Sequence, residues 1–247
     1  MKYTIKSAVI FILYSIIFVF GHFTRILNQS VLINDVNGAG WLYSALAAIF
    51  GVLAAFTIQS QSTKWDNLTQ SIKNEVSGLR RLLWLSTHGD AIRKKNIQSA
   101  VRIYLACVTK TEWKKIDMGE RSPELEKSIQ NLQEQVYQLG KYSPHLLQSI
   151  MIIMERIVES REERMFHSAK RTPFLLKGTI YMGAFIMIFL SYFIGIRNVW
   201  LDYLFTGSIA LLIILIISVI DDFEHPYRPG AWHVTQREYS DLLSEIV

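Results

Sequence analysis

Trp200–Tyr227 reads WLDYLFTGSIALLIILIISVIDDFEHPY, and this stretch decides the fold. No charge occurs over the 18 residues from Tyr203 to Ile220, and then Asp221, Asp222 and Glu224 arrive together ahead of His225 and Pro226. An uncharged run of that length is enough for one helix to cross a hydrocarbon core of about 30 Å. The acidic cluster marks where that helix leaves the lipid. Every other segment is placed relative to this exit.

Just upstream lies another apolar block, Gly178–Ile196, with no charge in 19 residues. Pro173 precedes it near the lipid boundary. The short turn Gly195-Ile196-Arg197-Asn198 makes the two blocks a tight transmembrane hairpin. Further back, no charge occurs from Val36 to Thr63, which frames a span at Trp41–Ile58. Small residues recur in it at four-residue steps: Gly40, Ser44 and Ala48 on one stripe, Ala47, Gly51 and Ala55 on another. That spacing stacks them on a helix face, and small faces let helix backbones approach closely in lipid. The pattern suits a helix lining the axis of an oligomer, and equally an ordinary buried helix of a monomeric bundle. Phe50 and Phe56 are candidates for an apolar constriction that gates by dewetting, or for plain lipid contact. Lys2 and Lys6 precede a first block, Ser7–Phe20. It has the short apolar middle of a signal peptide, but no small-x-small cleavage site follows, so a retained span is expected. Asn28–Gly40 is then a loop.

Gln59–Lys177 is a long polar insert with 20 Lys/Arg against 13 Asp/Glu. No run inside it could span a bilayer. Apolar residues recur instead at helical steps: Leu68, Ile72, Val76, Leu79 and Leu83; Val101, Tyr104, Leu105 and Val108; Leu125, Ile129, Leu132, Val136 and Leu139; and a broader stripe from Leu146 and Leu147 through Ile150, Met151, Met154, Ile157 and Val158. Each is an amphipathic helix with one face to bury. His88-Gly89-Asp90, Gly119–Pro123 and Gly140–Pro144 punctuate them. Ser122-Pro123 and Ser143-Pro144 place a cap residue before a proline at the first helical position. No glycine or proline lies between Gly51 and Gly78, so the second span continues unbroken into the insert. Arg161 and Arg164, among Glu155, Glu159, Glu162 and Glu163, suggest a salt-bridged solvated face; an anion vestibule is the sharper alternative. Trp232–Ile246 forms an amphipathic tail helix after the break at Tyr227-Arg228-Pro229-Gly230.

The fold class is therefore all-α: a four-span helical membrane protein with a helical cytoplasmic domain between spans two and three. Its segments are 1–58, two spans; 59–177, the cytoplasmic domain; 178–220, the hairpin; and 221–247, the acidic exit and tail. Lys2, Lys6, Lys64, Lys73, Lys170, Arg171 and Lys177 flank one side of the spans, against Arg25 and Arg197 on the other. By the positive-inside rule both termini and the insert are cytoplasmic. Half the residues are hydrophobic and 19% are charged, a mixture of apolar and polar blocks rather than a soluble domain. The net charge of +5 follows from basic cytoplasmic parts and needs no nucleic-acid partner. The lone Cys107, beside Leu105, Ala106 and Val108, reads as a small core residue. His22, His88, His145, His167, His225 and His233 nowhere pair at metal-ligand spacing on one helix. There is no phosphate-cradling glycine loop and no nucleophile elbow, so no enzyme is expected.

Local residues add a resemblance. Trp65 then Glu75 before Leu79, Tyr104 followed by Glu112-Trp113, Gly119 and Ser122, Glu159-Ser160-Arg161-Glu162-Glu163-Arg164 then Pro173, and Asp222, Pro226 and Gly230 after the last span form an ordered series. In this order they resemble the bestrophin-like family, mostly bacterial membrane domains of unassigned activity. The family's aspartate and proline usually stand closer together than Asp222 and Pro226 do. True bestrophins share the layout; they are pentameric anion channels, with a pore lined by the second span and calcium held in an acidic cluster after the last span. The resemblance thus implies an oligomeric ion channel or pore of the bacterial inner membrane, anion-conducting and a pentamer if it carries through. The resemblance carries over the second span as the pore helix but none of its residues; the small stripes and phenylalanines of that span make Ser44, Ala47, Ala48, Phe50, Gly51, Ala55 and Phe56 the candidate lining. No cofactor is expected unless calcium sits at Asp221, Asp222 and Glu224, a possible cation site. Calcium takes about six to eight oxygens, of which this segment supplies some; the alternative is a helix exit whose acids pair with cations such as Arg228. The implied partners are the lipid bilayer, ions and further copies of the chain. The second functional class is a non-conducting membrane-anchored interaction or sensor protein acting through its helical domain.

Overall fold

The computed structural model describes residues 11–12, 15–17, 19–20, 36–116, 122–169, 171–193 and 198–246. Helices dominate them and no strand occurs among the described residues. In chain order they are α1 (Val36–Ser86), α2 (Ala91–Cys107), a π-helical stretch Val108–Glu112 with a short turn Trp113–Lys115, α3 (Pro123–Tyr142), α4 (Pro144–Ala169), α5 (Phe174–Ser191), α6 (Val199–Glu224) and α7 (Arg237–Glu245). The expected first span lies partly, and the outer loop and hairpin turn mostly, outside the described residues; those described between Phe11 and Phe20 are helical.

α1 confirms the unbroken continuation of the second span. Its 51 residues reach about 75 Å at 1.5 Å per residue. α1, α5 and α6 are each long and apolar enough to cross a membrane. The chain divides into two compact units: the described residues up to Ser62 with Arg171–Glu224, and Thr63–Lys170 with His225–Val247.

In the first unit an apolar cluster joins Phe50 and Ala54 of α1, Ile180, Ala184 and Met187 of α5, and Ile213 and Ile220 of α6. Lipid offers no hydrophobic drive for helices to associate, so close packing must hold them. Gly183 provides it, since a Cβ there would stand 3.0 Å from the Phe50 ring. α5 begins at Phe174, directly after Pro173 and four residues ahead of the apolar block. The helix therefore carries Lys177 in its first turn.

In the second unit one core collects the apolar faces of the C-terminal half of α1 and of α2, α3, α4 and α7. Leu125, Ile129, Leu132, Val136 and Leu139 of α3 are all buried, as their heptad spacing requires. Two expectations change here. Leu147 and Met151 are exposed because the buried stripe of α4 runs instead through Ile150, Ile153, Met154 and Ile157. The tail helix starts only at Arg237; the Pro229-Gly230 break extends into a loop in which the Val234 amide donates to the Pro226 carbonyl at 2.7 Å. At the turn before α2, Asp90 caps the helix by accepting from the Arg93 amide. Cys107 is half-buried against the same core.

α1 and α4 meet at Gly78, where an added Cβ would lie 2.7 Å from Ile157 Cγ1. Alanine gains about 1 kcal/mol of helix propensity over glycine, against about 1–3 kcal/mol for overpacking a tight core. Gly78→Ala is therefore expected to lower the thermal stability of the purified protein, and a second change, Ile157→Val, to recover part of the loss.

Candidate functional site

Glu75 lies among Ile72, Val76 and Leu79 on the buried stripe of α1, so folding carries its carboxylate into the core. Glu112 falls four residues after Val108 on the inward side of the π-helical stretch. Arg161 and Arg164 prolong the Ile150, Met154, Ile157 stripe of α4 at helical steps. Glu75, Glu112 and Arg164 are all 0% exposed. A charge so placed is stable only if paired and hydrogen-bonded.

The pairing is extensive. Arg164 Nε donates to Glu75 Oε2 at 2.8 Å and Nη2 to Glu112 Oε2 at 2.9 Å. The Tyr104 hydroxyl donates to Glu75 Oε1 at 2.6 Å and the Tyr239 hydroxyl to Glu75 Oε2 at 3.0 Å. Five elements thus converge: α1, α2, the π-helical stretch, α4 and α7. Burial opposes the Arg164 charge, but Glu75 and its neighbours outweigh it and hold the guanidinium well above its ordinary range. Burial, then the nearby Glu75 charge, pushes both phenols up, so Tyr104 and Tyr239 remain donors. Burial also pushes the Glu112 carboxyl up, against the pull of Arg164. Trp113, next along the chain, packs edge-on against Tyr227 and Tyr239 with ring centroids 5.2 Å and 6.0 Å away. The Tyr227 hydroxyl is 2.6 Å from Ser168 Oγ, and burial pushes that phenol up to about 12.

The solvated face expected for the α4 arginines is therefore corrected. They are salt-bridged but turned inward: Arg164 is enclosed, and Arg161, also buried, reaches Glu126 at 2.6 Å and Glu162 at 3.2 Å. Ser122 does precede Pro123 at the start of α3, but its hydroxyl makes no capping bond. The apolar face of the tail helix accounts for the burial of Tyr239 but not for its hydrogen bond to Glu75. The available signal was polar residues continuing apolar stripes, as Glu75, Glu112 and Arg164 all do.

On the second span the two small stripes separate. Ser44, Ala48, Gly51 and Ala55 are exposed, and a Cβ on Gly51 would meet nothing within 4 Å. Ala47 is half-buried and packs against the cluster that contains Phe50. Phe50 is buried against α5, whereas Phe56 is 69% exposed. At the other end of the unit, Asp221, Asp222 and Glu224 form the last turn of α6; Asp222 and Glu224 are buried and Asp221 is half-buried. Acids at a helix C-terminus oppose the macrodipole. Two cations offset this: Lys177 Nζ donates to Glu224 Oε2 at 2.6 Å, and Arg171 Nη1 to the Glu224 carbonyl at 2.7 Å. Lys177 holds one oxygen of the Glu224 carboxylate, so a calcium ion here would compete with that ion pair.

The sequence matches the Bestrophin-like domain over residues 8–237. Crystal structures of a bacterial bestrophin homolog from Klebsiella pneumoniae, in variants with single substitutions, share the fold. One matches at 13% identity with a TM-score of 0.75, covering 98% of this chain and 94% of that one. Another matches at 12% identity with a TM-score of 0.76, covering 100% and 98%. A crystal structure described as a membrane protein matches at 12% identity with a TM-score of 0.76, covering 98% and 96%. No curated protein matches the chain.

Arg164→Met strands two buried carboxylates and is expected to cost about 3–5 kcal/mol, seen as loss of the folded polar unit or a large drop in its melting temperature in detergent. Glu75→Gln is expected to be more damaging than Glu112→Gln, because Glu75 accepts three hydrogen bonds and Glu112 one. Equal losses in the two variants would contradict this ranking.

Proposed function

The chain belongs to the Bestrophin-like family, and on that footing we propose that it is an oligomeric ion channel or pore, anion-conducting and lined by the second span. The polar unit would form a vestibule on the cytoplasmic side of the bacterial inner membrane. One observation carries this proposal: the exposed stripe Ser44, Ala48, Gly51 and Ala55 on α1, opposite the face that packs on α5 and α6. Small side chains on an unpartnered membrane face permit close approach of further helices and leave room along an axis. Of the two phenylalanines, Phe56 lies on the open side and Phe50 is committed to α5, so a constriction falls to Phe56. The acids ending α6 act in this proposal as an ion-paired terminus, and added calcium leaves conductance unchanged.

The alternative is a non-conducting, membrane-anchored interaction protein. The exposed Trp84 at the inner end of α1 favours a docking role for the polar unit. Mass measurement in nanodiscs separates the two. A ring of several copies, about five if the family pattern holds, supports the pore, whereas a monomer or dimer sinks it. Gly51→Trp then tests the lining. Because nothing lies within 4 Å of a Cβ at Gly51, the chain itself tolerates the side chain. Loss of bilayer current with an unchanged melting temperature is expected; unchanged current would exclude Gly51 from the pore.

A further inference from the structure

The Glu75–Arg164–Glu112 cluster is unbalanced. Two carboxylates share one enclosed guanidinium, so with both ionised the trio carries a net negative charge in a buried site. Glu75 is saturated, with donors from Arg164, Tyr104 and Tyr239. Glu112 is not: Oε2 accepts one bond from Arg164, while Oε1 is buried without any partner. Arg164 Nη1, Arg161 Nε and Ser122 Oγ are likewise buried without partners. The charge of Arg161 also favours ionised Glu112, but it offers Oε1 no hydrogen bond. Arg161 is itself engaged by Glu126 of α3 and by Glu162, and among the described residues the phenols Tyr104 of α2, Tyr239 of α7 and Tyr227 before it also face the cluster.

We propose that Glu112 Oε1 is a reversible proton-binding site, and that its loading sets how firmly the π-helical stretch holds the C-terminal segment Tyr227–Ile246. The proton comes from solvent and returns to it, converting the carboxylate to a neutral carboxylic acid with no other bond changed. Loading neutralises the trio; release leaves a second anion in a site built around one cation. The local backbone is suited to respond. Glu112 ends a π-helical stretch, a wider turn that recurs where helices serve function. Its neighbour Trp113 is the residue stacked edge-on against Tyr227 and Tyr239. A shift of the Glu112 side chain therefore reaches the C-terminal segment through one aromatic residue, Trp113, and its two ring contacts.

The sign follows from burial. The folded protein favours the neutral carboxyl relative to the unfolded chain, so stabilisation is full at acid pH and is lost as pH rises through the folded-state value. The C-terminal segment is held more firmly in mild acid and loosens on the alkaline side.

The test uses the full chain in lipid nanodiscs, titrated from about pH 8 to about pH 5. Infrared difference spectra report the carbonyl band of a protonated carboxyl, and hydrogen exchange, corrected for the intrinsic pH dependence, reports protection of Tyr227–Ile246. The expected result is a buried-carboxyl band that grows on acidification together with a severalfold rise in protection, both absent in Glu112→Gln and both kept in Glu162→Gln. A wild-type protein with no titrating band, or with pH-independent protection, overturns the proposal even if Glu112→Gln fails to fold. Persistence of band and protection change in a folded Glu112→Gln overturns it as well.

Discussion

One enclosed guanidinium governs the polar unit. Arg164 brings a full positive charge to a place with no water contact, and such a charge persists only where carboxylates meet it with good geometry. Glu75 comes from a position 89 residues away in sequence, Glu112 from 52 away. Tyr104 and Tyr239 then occupy the lone pairs that Arg164 leaves on Glu75. Five elements are thereby bound to one register. An apolar core of Leu, Ile and Val tolerates sliding of one helix by a turn far better than this cluster does, because a slipped helix strands a buried charge. The cluster contributes specificity more than net stability, since desolvating three ions offsets most of their attraction.

The first unit obeys different physics. Its helices are apolar on all sides and gain little by hiding apolar surface from lipid. Shape decides instead, through Gly183 under the Phe50 ring and alanines at Ala54 and Ala184. Several of its described polar groups are paired close at hand. The Ser15 and Tyr203 hydroxyls lie 2.9 Å apart, and Glu224 meets Lys177 and Arg171 where the helix ends. Lys177 reaches Glu224 because α5 starts early, at Phe174, which draws a basic residue into the helix beside the acids of α6.

Much of this was legible residue by residue. The uncharged runs located α1, α5 and α6, because a backbone crossing lipid must be helical and its side chains must be apolar. The heptad spacing of Leu125 to Leu139 named the buried face of α3 without error. Four of the ordered residues that carry the family resemblance, Glu75, Tyr104, Glu112 and Arg164, are members of the cluster; the fifth member, Tyr239, is not among them. Their shared purpose was hidden, since periodicity places a residue on a face but says nothing of which face meets it. The α4 arginines showed this most plainly: among four glutamates they suggested a solvated ladder, yet the helix turns them inward. Leu147 and Met151 erred in the opposite sense, because an apolar residue at the edge of a stripe buries only if a neighbour covers it.

Sequence alone determined that this protein is all-α, that three of its described helices suit a bilayer, and that an amphipathic helical unit interrupts them. Those properties depend on local hydrophobicity and backbone hydrogen bonding, which each segment carries by itself. Tertiary structure alone decided that Phe50 packs inward while Ser44, Ala48, Gly51 and Ala55 stay open. It also decided that Lys177 meets Glu224, and that Glu112 keeps one buried oxygen without a donor. Each of these is a distance between atoms far apart along the chain. Such distances are set by how the helices pack together, and no single segment encodes them.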